Sequence, residues 1–289
     1  MIPRHRYSIP LPGRQPLELG ERTLVMGIIN VTPDSFADGG QRFDPDRAIA
    51  DGLQMIADGA DLLDVGGEST RPGAEPVPAD EELRRVAPVV AALAADGRVP
   101  VSIDTYKAAV AREALARGAT IVNDVSGLQY DEQLAGVVAE SGAAVVLMHN
   151  RGRSRTMYRE AVYADVCGEI VAELEAAIGR AESAGVRREA VIVDPGFGFA
   201  KRAEHSWAAL AALPQLSMLG RPVLAGPSRK SFLKSAIGDR EPAERDAATA
   251  ASVAACALLG AHIVRVHNVR QMVDAVRVAD RIRVTARVR

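Results

Sequence analysis

Eight short apolar runs in this chain each end at side chains that can do chemistry. Leu24–Ile29 stops at Asn30, Leu62–Val65 at Gly66, Gly67 and Glu68, and Val99–Ile103 at Asp104. Thr120–Val122 stops at Asn123 and Asp124, Ala144–Met148 at His149, and Val191–Val193 at Asp194. Pro222–Ala225 leads to Gly226, Ser228, Arg229 and Lys230, and Ile263–Val264 leads to Arg265 and His267. Arg265 carries a planar fork that suits phosphate oxygens. His267, two residues on, projects to the same side if both lie on a strand end. Ser228, just before a helix N-terminus, favours an anionic carboxylate. No side chain stands out as a covalent nucleophile.

These groups need elements that bring them together. The runs are short, β-branched and bounded by turn residues, as buried parallel strands are. Ala-rich amphipathic segments separate them and predict helices over Pro45–Gly59, Ala79–Ala95, Lys107–Arg117, Glu132–Ser141, Val166–Ala184, Glu204–Leu213, Ala243–Leu259 and Val269–Val278. Asp44 reads as a helix N-cap with Pro45 at the first helical position. Gly59, Gly118, Gly142, Gly185 and Gly260 suit the position just past a helix end. Eight strand–helix alternations predict an α/β chain of one domain, a (β/α)8 TIM barrel with its active site at the C-terminal ends of the strands. Residues 1–23 read as a lead-in that closes the barrel floor, and residues 24–289 as the barrel. The long Pro- and Gly-rich connections Val31–Phe43 and Gly66–Pro78 predict lids or binding loops. Arg-rich Asn150–Asp165 reads as a further flap.

Composition narrows the partners. At 289 residues, 48% apolar and 25% charged, the chain is ordinary for a globular protein. A net charge of −2 gives no field that would favour nucleic acid. The Arg-rich end (Arg281, Arg283, Arg287, Arg289) reads as a solvated helix end and tail. Cys167 and Cys256 have no metal-ligand spacing and read as small buried residues. No apolar run approaches the roughly 20 residues needed to span a bilayer, and the N-terminus lacks an apolar signal core. The expectation is a cytoplasmic protein that binds neither nucleic acid nor membrane.

The motifs themselves point to a family. Met26–Gly40 reads MGIINVTPDSFADGG, Asp64–Gly73 reads DVGGESTRPG, Ser102–Thr105 reads SIDT, and Asn123–Ser126 reads NDVS. Leu147–His149 reads LMH, Asp194–Phe199 DPGFGF, Gly226–Lys230 GPSRK and Arg265–His267 RVH. In this order, over about Leu24–Val278, they closely resemble the dihydropteroate synthases, the folate-pathway enzymes that sulfonamides block. The resemblance implies a homodimeric barrel that joins 4-aminobenzoate to the methyl carbon of a 7,8-dihydropterin pyrophosphate.

It also implies roles for residues. Asp104, Asn123, Asp194 and Lys230 would bind the pterin, with Met148 and Phe199 against the ring. Asp194 would take the amino-pyrimidine edge, where two parallel hydrogen bonds fix orientation. Asn30, Thr70, Arg265, Val266 and His267 would hold pyrophosphate, Asn30 also touching its Mg²⁺, which commonly needs few protein ligands. Thr70, Arg71, Pro72, Ser228 and Lys230 would receive aminobenzoate. Asp34, Ser35, Phe36 and Asp38 would lie in a closing lid. Asp104, Lys230, Arg265 and His267 form the expected catalytic set. The route expected is dissociative: pyrophosphate leaves, then the arylamine attacks a pterin cation held by Asp104.

Two departures are small: Asn150–Arg151 varies in the family and receives no role, and Phe197 replaces a common aliphatic residue. With no insertion around Thr70–Pro72, sulfonamide inhibition is expected. Two other readings compete, a pterin-dependent methyltransferase and a non-catalytic pterin-binding paralogue. The first has no use for a pyrophosphate site, and the second lacks support because no expected residue is missing. His149 has no assigned role.

Overall fold

The computed structural model describes residues 4–32, 44–71 and 73–287. A short antiparallel hairpin, β1 (Tyr7–Ile9) and β2 (Leu17–Leu19), precedes the barrel. The barrel strands are β3 (Leu24–Asn30), β4 (Leu62–Gly66), β5 (Val101–Asp104), β6 (Ile121–Asp124), β7 (Ala144–Met148), β8 (Val191–Asp194), β9 (Leu224–Ala225) and β10 (Ile263–Val266). They pair in parallel from β3 round to β8, and β10 bridges β3 and β9. One parallel bridge, Val193 with Val223, closes the ring between β8 and β9. The (β/α)8 reading of the sequence therefore holds, with strand ends within a residue or two of expectation.

The packed helices are α1 (Pro45–Ala57), α2 (Ala79–Asp96), α3 (Ala108–Ala116), α4 (Leu134–Ser141), α5 (Val166–Ser183), α6 (Ala203–Ala211), the short α7 (Lys234–Ile237), α8 (Asp246–Leu258) and α9 (Val269–Arg287). Asp44 caps α1 as expected, accepting from the backbone N–H groups of Asp46 and Arg47. The helix expected directly after Ser228 begins later: a turn and one 3₁₀ turn (Ser231–Leu233) come first, and α7 starts at Lys234. The chain also departs from expectation at its end: α9 runs on past Val278, and Arg283 is buried, not solvated. Its guanidinium donates to the carbonyls of Ala257 and Leu258 (3.0 and 2.6 Å), satisfying orphan acceptors at the end of α8. Cys256 is buried and Cys167 only half-buried. No helix among the described residues is long and apolar enough to cross a membrane.

Strand alternation sorts the side chains into two layers. Val25, Leu63, Val65, Ile103, Val122, Val145, Val193 and Val264 point outward and pack with the helices. Leu24, Met26, Leu62, Ile121, Ala144, Val146, Ile192, Leu224 and Ile263 point inward and fill the lower barrel. Ile9, Leu11 and Leu19 of the lead-in join that inner cluster, so the hairpin seals its floor. His262 ties the floor together. Its Nδ1 accepts from the Val223 N–H at 3.1 Å, and its Nε2 lies 3.1 Å from the His5 carbonyl. Farther up each strand the inward positions change character, from Leu62 to Asp64, Ile121 to Asn123, Ile192 to Asp194, and Ile263 to Arg265. The same two-residue period that fills the core therefore points polar groups into the barrel mouth.

Candidate active site

A cavity of about 50 Å³ lies at that mouth. Its wall brings together Thr70, Asp104, Asn123, Met148, Asp194, Phe199, Ser228, Lys230, Arg265 and His267. A larger cavity of about 240 Å³ adjoins it, sharing Thr70, Val125 and Phe199 and continuing between Tyr106, Tyr130 and Arg153. Asn30, Arg71 and Val266 are not in the wall of the first cavity. Asn30 is half-buried at the end of β3, and Arg71 is exposed. The Val266 side chain is buried in the core, so only its backbone is free to serve a ligand. Asp34, Ser35, Phe36, Asp38 and Pro72 lie outside the described residues.

The centre of the site is an ion cluster. Arg265 donates through Nε to Asp64 Oδ2 (2.5 Å) and through Nη2 to Asp104 Oδ2 (2.6 Å). Asn123 Nδ2 donates to the same Asp64 oxygen at 2.8 Å. Asp64 is fully buried and was missed at the sequence level, because it sits inside an apolar run rather than at its end. The signal was present: a charged residue at an inward position of a buried strand, level with Ser102 on β5 and one step below Asp104. Asp64 Oδ1 and Asp104 Oδ1 are both buried with no hydrogen-bond partner among the described residues. Arg265, expected on pyrophosphate, is thus already held by two carboxylates.

Burial sets the protonation of the groups around it. It raises Asp104 to about 7; Arg265 opposes that rise, and the Asp64 charge adds to it. Burial likewise lifts Asp194, while the Gly196 N–H donating at 2.7 Å holds it down. Lys230 falls to about 7, pushed by burial and then by Arg265, against the pull of Asp194 and Asp104. Its Nζ rests 3.8 Å from the centre of the Phe199 ring. His267 falls to about 3 through burial and the nearby cations, Arg229 first among them, so it is neutral. Its Nδ1 lies 2.8 Å from Ser228 Oγ, and its backbone N–H donates to the same oxygen at 3.2 Å. If the serine hydroxyl donates to Nδ1, the proton sits on Nε2 as a free donor.

Neighbouring residues hold these groups in place. Arg229 takes a left-handed backbone (φ 57°) that turns Lys230 back over the barrel mouth. The turn is held by a two-pronged pair to Asp246, at 2.7 and 2.8 Å, and Asn268 donates to the same carboxylate. Gly196 has φ 67°, and a Cβ there would stand 2.1 Å from the His149 carbonyl oxygen, so only glycine fits. The loop after β4 is pinned by Glu68, which accepts from Val77 N–H and Lys107 Nζ; Lys107 also pairs with buried Glu82. Phe197, the departure noted in the sequence, is buried against Phe232 with ring centres 6.1 Å apart.

Comparison with known proteins gives this geometry a context. The family described as "Pterin binding enzyme" matches residues 26–267. The dihydropteroate synthase of Mycobacterium leprae is 51% identical over 260 residues, covering 88% of this chain and 91% of that protein. The structure of Xanthomonas albilineans dihydropteroate synthase with 4-aminobenzoic acid superposes with a TM-score of 0.88 at 43% identity, covering 98% of this chain and 99% of that one. The Yersinia pestis enzyme in complex with a sulfonamide drug gives 0.89 at 39% identity, over 96% and 99% of the two chains.

The ion cluster makes a direct prediction. Removing one partner of a buried pair leaves an uncompensated charge, at a cost of about 3–5 kcal/mol. Asp64→Ala should lower unfolding stability in urea by that order, because Arg265 keeps only Asp104 and Asn123 loses its acceptor. A variant as stable as the wild type would show that Arg265 does not depend on Asp64.

Proposed function

This chain belongs to the pterin-binding enzyme family of dihydropteroate synthases, and we propose that its barrel mouth grips the dihydropterin ring while an arylamine displaces the pyrophosphate. The chain is an enzyme, a transferase of folate biosynthesis that condenses (7,8-dihydropterin-6-yl)methyl diphosphate with 4-aminobenzoate. What supports the assignment of sites most is Asp104 Oδ1 in the cavity wall, a buried acceptor without a partner among the described residues. A ring N–H would satisfy it. Asp194, with one oxygen engaged by Gly196, keeps its other oxygen for the amino-pyrimidine edge. Asn123, oriented by Asp64, and Met148 complete the grip. Lys230, resting on Phe199, borders the space the ring would enter.

The diphosphate side would fall to His267 Nε2, the free donors of Arg265, and Thr70, since the His267 N–H already donates to Ser228. Anion binding would restore full charge to Lys230, which lies near neutrality only because burial and Arg265 push it down. Mg²⁺ would bind apart from these cationic donors. It prefers oxygen ligands and keeps several waters, so Asn30 alone at the β3 end could supply the protein ligand, and no group of three or more His, Cys, Asp or Glu is needed. When bound, the ion would neutralise charge on the leaving diphosphate. Aminobenzoate would enter by Thr70, Arg71, Pro72, Ser228 and Lys230, where sulfonamides would compete with it. We read the protein as a cytoplasmic homodimer; exposed Val278 and Ile282, four residues apart on α9, offer an apolar contact stripe. A monomer in analytical ultracentrifugation would rule that contact out.

The reaction would be a dissociative substitution. The carbon–oxygen bond to diphosphate breaks first, with the electron pair leaving on oxygen. The ionised Asp104 carboxylate stabilises the cation that remains. The arylamine nitrogen then forms the new carbon–nitrogen bond and gives up its proton to solvent. A coupled assay for pyrophosphate tests this route. Slow release without aminobenzoate, stimulated on adding it, is the expected result; no release at all in its absence counts against a free cation. A sulfonamide should suppress turnover competitively with aminobenzoate, and a Ki independent of aminobenzoate would place it elsewhere.

Lys230→Ala should cut turnover by roughly 10²–10³-fold with little loss of stability, in line with removal of a single preorganised donor. The pH dependence follows from the same groups. Asp104 must be ionised and Lys230 protonated, so kcat/KM should fall on the acid side as Asp104 takes its proton and on the alkaline side as Lys230 loses one. A profile flat from pH 6 to 8.5 would contradict both roles.

A further inference from the structure

His149, unexplained by the sequence, belongs to a buried chain of contacts behind the pterin pocket. We propose that Lys201 is a positioning residue for the pterin, its ammonium clamping the loop after β8 to the end of β7 through His149. The proposal deepens the catalytic reading above and rests on it.

The geometry is that of a filled ammonium. Lys201 is 1% exposed, although no substrate atom needs it in the scheme above. Its Nζ lies 2.7 Å from His149 Nδ1, 3.0 Å from the Phe199 carbonyl and 3.3 Å from the His149 carbonyl. Three acceptors meet three N–H donors. One of the two residues so joined directly follows Met148, and the other is Phe199; both side chains line the cavity. The same two segments are tied once more, by the His149 N–H donating to the Asp194 carbonyl at 2.9 Å. Lys201 therefore fixes the relative position of Met148, Asp194 and Phe199 without touching the ligand.

The far side of His149 sets the direction of the clamp. Its Nε2 is 3.0 Å from Glu173 Oε2 on α5. Arg151 holds Glu173 and also Glu169 (2.6 Å), and it lies 4.1 Å over the Tyr163 ring. A charged Lys201 has only donors, so its 2.7 Å contact makes Nδ1 the acceptor and puts the ring proton on Nε2, the side that faces Glu173. Burial and then Lys201 hold His149 down to about 4, so it stays neutral. The charged groups facing Lys201 are Asp194 on β8, Glu173 on α5, Lys230 after β9 and Arg151 after β7. Burial brings its amine to about 7, with Asp194 and Glu173 opposing. A neutral amine has two donors for three acceptors, so losing the proton loosens the clamp. By linkage, a ring seated against Phe199 and Met148 favours the charged amine.

The chain has only four lysines, at 107, 201, 230 and 234, so ¹⁵N-lysine NMR can follow each amine. In the free enzyme Lys201 should titrate near neutrality, and a bound dihydropterin should keep it charged beyond pH 8. Lys230→Met identifies which of the two near-neutral signals is Lys201. In kinetics, Lys201→Met should raise KM for the dihydropterin diphosphate about tenfold, the scale of one lost hydrogen bond to a charged group, while kcat and the aminobenzoate KM stay within about threefold. A folded Lys201→Met enzyme with unchanged pterin KM would overturn the proposal. Should that variant not fold, a Lys201 titration in the wild type that ignores pterin would overturn it equally. Failure of the wild type to bind any dihydropterin would instead remove the catalytic reading beneath it.

Discussion

The site depends on one buried arginine shared by two carboxylates. Taking Arg265, Asp64 and Asp104 out of water is expensive, and their mutual attraction offsets that cost only while all three keep their geometry. The barrel supplies that geometry because β10, β3, β4 and β5 are consecutive neighbours in the sheet. Arg265 on β10 reaches across β3, where small or apolar inward residues leave room, to Asp64 on β4 and Asp104 on β5. Asn123 on β6 joins the same Asp64 oxygen. A cluster spread over four strands behaves as one rigid floor for the ligand. Asp104 Oδ1, in the cavity wall, has no partner among the described residues, which is a cost in the free protein and an opportunity for a ring with N–H donors.

Around this floor the titrating groups are held away from their ordinary values in opposing senses. Burial pushes Asp104 up and Lys230 down toward the same pH. Neither is strongly committed to its charge until a ligand arrives. An anionic diphosphate favours the ammonium, and a developing cation favours the carboxylate, so the substrate's own charge separation commits both. His267 contributes differently. It is neutral, and it presents an N–H through Nε2 when the Ser228 hydroxyl donates to its Nδ1. A donor that carries no net charge can hold the diphosphate without trapping it as product.

Most of the fold was legible because barrel strands and their helices obey simple periods. Short β-branched runs, Gly after helix ends and Asp44–Pro45 at a helix start are local signals, and local physics sets them. The parts that escaped depend on partners distant in sequence. Arg283 reads as a solvated tail residue until the carbonyls of Ala257 and Leu258 at the end of α8 are seen to accept from it. The strand-end reading found Asp104, Asn123 and Asp194 because they stop apolar runs. It passed over Asp64 because that residue interrupts one, and over Lys201 because it follows a loop rather than a strand. The pairing of Arg229 with Asp246 escaped for a third reason: it holds a left-handed turn, and no spacing rule announces that.

These omissions share a physical cause. Side chains that touch ligand must sit at the barrel mouth, so strand ends disclose them. The residues that aim those side chains sit one layer deeper, where burial makes each polar contact strong and each unpaired group costly. At that depth a charge survives only with partners, and the partners come from whichever elements the barrel brings near: β10 for Asp64, β7 and α5 for Lys201. A lone charged residue at an inward position, or just past a glycine-rich loop before a helix, is therefore a better guide to positioning residues than to binding ones. By that rule Asp64 and Lys201 are the same kind of residue on opposite sides of one pocket. One orients the arginine and amide toward the ring's donors, and the other fixes the aromatic and carboxylate wall against which the ring must lie.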